Sequence, residues 1–204
     1  MTTPMVQLLL LLNVGMFLLE LANPGILAPF ALWPIHGVSQ EAAAQGAFSG
    51  RFHLWQLLSY GFLHGSLLHI ALNMYALWLF GSRMERLWGA RAFLLYYLVC
   101  VAGAGLTQLV WTALSGQYYP TIGASGGVFG LLLAFGLTFP DERLLLVFPP
   151  VVLKAKWFVL LYGGIELWAG ITGTEAGVAH FAHLGGMLFG YLLIRHWRRH
   201  RPFL

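Results

Sequence analysis

Ser125 stands in the run Thr121-Ile-Gly-Ala-Ser125-Gly-Gly-Val-Phe-Gly130, and His183 stands in Ala182-His183-Leu-Gly-Gly186. A serine hydroxyl is a weak nucleophile until a histidine accepts its proton, so this pair is the minimum equipment for acyl transfer. Such chemistry also needs donors aimed at a developing oxyanion. The N–H of Ser125, at the start of an apolar segment, is one such donor. His69 and Asn73, spaced i, i+4 on one helix face, are two more. Gly123, Ser125 and Gly127 also spell G-x-S-x-G, the nucleophile elbow of soluble hydrolases. That elbow needs a strand before it and a sheet beneath it, which this composition excludes. Ser125 taken alone would be read as a helix N-cap.

The elements that must position these groups lie in a membrane. The chain has 204 residues, 59% hydrophobic and 9% charged. A soluble domain carries about 25% charged residues. The single cysteine, Cys100, lies in an apolar run and reads as a packing residue. The N-terminus has neither the basic start nor the small-x-small site of a cleaved signal peptide, so its apolar stretch reads as a retained span.

Six apolar segments are predicted, at about 5–22, 55–80, 92–114, 125–139, 151–172 and 178–194. They make one all-α, six-span membrane domain over 1–204, with a long outer loop at 23–54. With the N-terminus inside, ten of the eleven Lys and Arg residues fall on the inner side and only Arg51 lies outside. The basic pI thus reports orientation and not nucleic acid. The outer loop carries Pro24, Phe30, Trp33 and Phe48, a composition suited to the interface.

The fourth segment is too short. From Ser125 to Phe139, at 1.5 Å per residue, it spans about 22 Å against a hydrocarbon core of about 30 Å. Its serine should therefore begin the helix below the outer surface. Counting back from Arg83, Asp141 and Arg195 puts His69, Asn73, Ser125 and His183 about 15–24 Å above the inner edge. Four polar residues from three helices share one layer. Intramembrane polar residues face a bundle interior or a wet cavity. The irregular run before Ser125 is tolerated at depth only when it is buried in protein or lines water, which predicts a water-filled pocket above the serine. Gly126-xxx-Gly130 and Gly186-xxx-Gly190 let helix backbones approach closely, bringing Ser125 and His183 together.

Other polar residues have simpler readings. His69 and Asn73 also suit interhelical hydrogen bonding. His64 is expected to tie the outer loop to its helix. His180 is the rival base, but sits a turn nearer the surface. Glu85 is expected to pair with backbone or Arg86. Glu166 has no evident cationic partner in the sequence, and is expected to be a hydrogen-bonded carboxyl facing the cavity near the substrate gate. No His-Glu-x-x-His, phosphate loop or other metal or cofactor motif is present. A transporter would show repeated halves with broken helices, and no such repeat is found.

The runs His64-Gly-Ser-Leu-Leu-His69-Ile-Ala-Leu-Asn73, Gly81-xxx-Glu85-xxx-Gly89, Gly123-Ala-Ser125-Gly and Ala182-His183-Leu-Gly-Gly186-xxx-Gly190 together resemble the rhomboid family of intramembrane serine proteases. The resemblance implies a Ser125–His183 dyad with no acidic third member. It implies an oxyanion hole from His69, Asn73 and the Ser125 amide, and Phe129 packed on the histidine. It also implies transmembrane-helix substrates cut near the outer face, with no metal or other cofactor. Its alternative is a non-catalytic relative that binds transmembrane helices, though such relatives usually lack the serine or the histidine. The chain looks like the minimal bacterial form, with no extra soluble domain or seventh span. It would sit in the cytoplasmic membrane with both termini in the cytoplasm. Gln56 stands after Trp55 where many members have arginine, which puts the loop's polar anchoring in question.

Overall fold

The computed structural model describes residues 3–23, 25, 28–37, 50–145, 150–173 and 179–200. Pro24, Phe48, Val178 and Arg201 lie outside the described residues. The fold is mostly helical. Helix α1 runs Pro4–Ala22, followed by a 3-10 turn at Ala28–Phe30. Short α2 covers Gln56–Phe62, α3 Leu67–Trp88 and α4 Ala90–Ser115. Then come α5 at Ser125–Thr138, α6 at Ala155–Thr172 and α7 at His180–His200. Between α5 and α6, strands β1 (Arg143–Leu145) and β2 (Val152–Lys154) pair antiparallel.

Among the described residues two helices, α1 and α4, are long and apolar enough to cross a membrane alone. The pair α2 and α3 makes a third only if taken together, because it bends by 101°. The single predicted segment at 55–80 is therefore two helices. The break is local chemistry: Ser66 is extended and its hydroxyl accepts from the His69 N–H, nucleating a new helix. This helix then runs past Phe80 through a π-turn at Leu77–Gly81 and on through Arg83 and Arg86. Likewise α7 continues through Arg195, Arg198 and Arg199. Basic residues mark a membrane edge, not a helix end, so the charge-based boundaries stopped these helices early. The segment expected from 151 begins as β2 and becomes helix at Ala155.

Helix α5 occupies the centre, buried on nearly every face between α4 and α7. Small residues make this possible. A Cβ on Gly186 would lie 2.0 Å from the Gly126 carbonyl oxygen, so α5 and α7 cross backbone to backbone. Gly130 meets Cys100 and the Gly186 carbonyl, while Gly190 meets Tyr96 and Cys100. The two glycine motifs thus face a common seam shared with α4, and Cys100 packs within it as predicted.

Helix α1 is fastened by Glu85. Its buried carboxylate accepts from the Thr3 hydroxyl and from the N–H groups of Met5 (2.9 Å) and Val6 (2.8 Å). Those are first-turn donors with no partner inside their own helix. Helix α6 buries only a narrow stripe, Ala155, Val159, Glu166 and Ala169. It exposes Trp157, Leu160, Ile165, Trp168 and Ile171. A large apolar face of this kind suits lipid and not water.

Candidate active site

Ser125 is the first residue of α5, not its cap; the N-cap is Ala124, which offers no side-chain acceptor. The first-turn amides of α5 are therefore left available to an incoming group. The loop before the serine is held at two points. Thr121 and Leu32 exchange backbone hydrogen bonds of 3.0 and 2.9 Å, and the Gly123 N–H donates to the Tyr60 carbonyl at 2.9 Å. Gly123 adopts a φ of +127°, and a Cβ there would lie 2.8 Å from His69 Nε2. Only glycine takes that backbone and admits the imidazole so close to the nucleophile's loop.

Across the α5–α7 crossing, His183 Nε2 lies 2.7 Å from Ser125 Oγ. Phe129, one turn along α5 from the serine, stacks on the His183 ring at 4.3 Å and 7° between planes. The expected pair and its aromatic support are therefore in contact.

His69 lies beside Gly123, and its own neighbour ring is His64 at 5.0 Å. Asn73 donates one side-chain N–H to the His69 carbonyl at 3.0 Å, which leaves its second N–H for another acceptor. Ser125, His183, His69 and Asn73 all line one cavity of about 900 Å³, walled further by Tyr119 and Tyr162. The layer of polar residues from three helices thus converges on one open space.

One residue departs from its sequence-based reading. Glu166 has two histidine partners: its Oε2 lies 2.7 Å from His180 Nδ1 and 2.9 Å from His183 Nδ1. It is buried behind His183 and is not part of the cavity wall. His180 is not placed as a base; it faces Glu166, while Ser125 is met by His183. A signal for this exists in hindsight: His180-x-x-His183 on one helix face, opposite a lone acid on the preceding helix. The donor atoms of Glu166, His180 and His183 lie within 4.8 Å of one another, a spacing a cation could use. Their mutual pairing already engages those atoms.

Gln56 answers the question of the loop's anchoring. Its buried side chain accepts from the Trp33 and His53 N–H groups, each at 3.2 Å. It donates to the Pro29 and Arg51 carbonyls at 2.9 and 3.1 Å. All four of its hydrogen-bonding positions are used on loop backbone. The His64 N–H donates to the Glu20 carboxylate at 3.1 Å, which ties the turn between α2 and α3 to α1 and not to the outer loop.

Residues 51–199 match the family described as Rhomboid domain. The chain is 34% identical over 153 residues to mouse (Mus musculus) presenilin-associated rhomboid-like protein, mitochondrial, covering 69% of this chain and 39% of that protein. It is 32% identical over 191 residues to Rhomboid protein 1, mitochondrial, of Saccharomyces cerevisiae, covering 80% and 55%. It is 32% identical over 145 residues to RHOMBOID-like protein 4 of Arabidopsis thaliana, covering 68% and 33%. The chain therefore spans roughly a third to just over half the length of these relatives.

Proposed function

The chain belongs to the rhomboid family, and on that premise we propose that it is a serine-type intramembrane endopeptidase acting on transmembrane helices near the outer face of its membrane. The observation that carries the reading is the 2.7 Å contact between Ser125 Oγ and His183 Nε2 inside a cavity. In this reading all six apolar segments sit in the bilayer, with both termini and the basic loops on the inner, cytoplasmic side. A bacterial cytoplasmic membrane suits that charge pattern.

The chemistry follows from the groups present. Ser125 donates its proton to His183 Nε2 as its oxygen bonds to the scissile carbonyl carbon. The carbonyl oxygen becomes an oxyanion and accepts from the Ser125 N–H, with His69 and the free N–H of Asn73 as further donors. A donor of this kind is worth about 10²–10³ in rate. His183 then passes the proton to the leaving nitrogen, and the peptide bond breaks. Water admitted through the cavity hydrolyses the acyl–serine bond by the same steps in reverse roles. Phe129 limits the tilt of the imidazole by stacking on it.

The test is labelling of detergent-purified protein with a serine-reactive fluorophosphonate, wild type beside Ser125→Ala and His183→Ala, followed by cleavage of a transmembrane substrate. Labelling and cleavage by wild type alone are expected. Equal labelling of all three proteins would place the reactive group elsewhere. A folded wild type that neither labels nor cleaves would instead support a helix-binding, non-catalytic role.

A further inference from the structure

On the reading that Ser125 and His183 carry the chemistry, we propose that Glu166 is a positioning residue that completes a serine–histidine–glutamate relay, with His180 holding its carboxylate in place. The three contacts are consecutive: Ser125 Oγ to His183 Nε2 at 2.7 Å, His183 Nδ1 to Glu166 Oε2 at 2.9 Å, and the same Oε2 to His180 Nδ1 at 2.7 Å. The residues come from α5, α7 and α6, so the contacts tie together the three helices at the site.

His183 Nε2 must be free to accept from serine. In a neutral imidazole that places the hydrogen on Nδ1. Nδ1 is buried, and the Glu166 oxygen is the acceptor beside it. The contact is at ion-pair distance but bent, whereas the one to His180 has hydrogen-bond geometry. That division suits the task. At rest the carboxylate leans on His180. When the serine proton moves to His183 Nε2, the ring becomes a cation whose Nδ1 side is buried, and the carboxylate beside Nδ1 offsets its charge. Glu166 takes no proton; the proton stays on His183 until it goes to the leaving nitrogen.

The competing account is a clamp. The Glu166–His180 bond joins α6 to α7, and a buried acid needs a partner in any case. A clamp depends on shape and reach. A relay depends on charge. The two accounts therefore rank substitutions oppositely: Glu166→Gln keeps the length and loses the charge, while Glu166→Asp keeps the charge and loses a methylene.

The experiment measures fluorophosphonate inactivation of the full chain in detergent, separating the maximal rate constant from the half-saturation concentration. Thermal unfolding is recorded for each variant. For Glu166→Gln we expect a maximal rate constant lower by about ten- to a hundredfold, the scale of losing a carboxylate that orients a functional histidine, with half-saturation unchanged. Glu166→Asp should retain more of the rate than Glu166→Gln. His180→Asn, which loosens the carboxylate but keeps its charge beside His183, should also retain more. Wild-type rate in a folded Glu166→Gln protein, or a Gln variant faster than the Asp variant, overturns the relay. If wild type is inert while folded, the protease reading fails, and this proposal fails with it.

Discussion

Replacing Gly186 by alanine tests how the site is assembled. The new Cβ would sit 2.0 Å from the Gly126 carbonyl oxygen. A carbon approaches such an oxygen no closer than about 3.3 Å. The obstacle is backbone at the second residue of α5, so no side chain can swing aside. The helices must part by about 1.3 Å, and cores of this density transmit such a shift instead of absorbing it. Gly186 is three residues from His183 and Gly126 is next to Ser125, so the opening falls on the dyad. Carried there, it lengthens the 2.7 Å contact to about 4 Å, beyond hydrogen-bond reach. A misplacement of about 1 Å costs roughly 10²-fold in rate. The assay is the fluorophosphonate inactivation rate, paired with cleavage of a transmembrane substrate and a thermal unfolding scan. Gly164→Ala is the control, because a Cβ there meets nothing within 4 Å. It should match wild type. A folded Gly186→Ala protein with wild-type rate would show that the close backbone crossing does not set the dyad.

Three further outcomes follow from named contacts. Gln56→Leu keeps the size of the side chain and orphans four loop backbone groups; at about 1 kcal/mol each it should cost about 4 kcal/mol, seen as a lower unfolding temperature and faster proteolysis between Pro29 and His53. Glu85→Ala strips the acceptors from the first turn of α1, costing about 1–2 kcal/mol, and hydrogen exchange should rise at Met5 and Val6 while α5 stays protected. Asp141 is held below its ordinary 3.8 by hydrogen bonds from the Lys156 and Lys154 ammonium groups. A depressed carboxylate contributes stability above its unfolded value and loses it as pH falls. The small gap in unfolding temperature between wild type and Asp141→Asn should therefore be present at neutral pH and close below 3.8, and salt should shrink it.

The parts of the site legible in the sequence are those fixed along one helix. Pro140 and Asp141 stop α5 near its predicted end, and the irregular run before Ser125 sets its start. The glycine spacings foretold a close crossing, which the Gly126–Gly186 contact realises. What stayed hidden depends on how two helices rotate against each other. Glu166 looked solitary because nothing along α6 says which of its faces meets α7, or that His180 and His183 share that face. The break at Leu63–Ser66 was hidden by the apolar runs on either side of it, although His64, Gly65 and the capping Ser66 were present as signals. Strands β1 and β2 were missed because three residues each are too few to show a period. Gln56 could not be judged as an anchor because its four partners are loop backbone groups, which carry no residue-type signature.

The backbone bridge between Leu32 and Thr121 has a consequence for anyone altering the protein. It splices the stretch after α1 onto the stretch that presents Ser125, and Gln56 fastens that first stretch from beneath. Leu32 and Thr121 are therefore coupled backbone to backbone. A tag, graft or crosslink placed at Phe30–Trp33 would not be a remote handle. Tension applied there arrives at Thr121, four residues from the nucleophile, so the position is suited to a force or fluorescence reporter of the site and unsuited to neutral attachment.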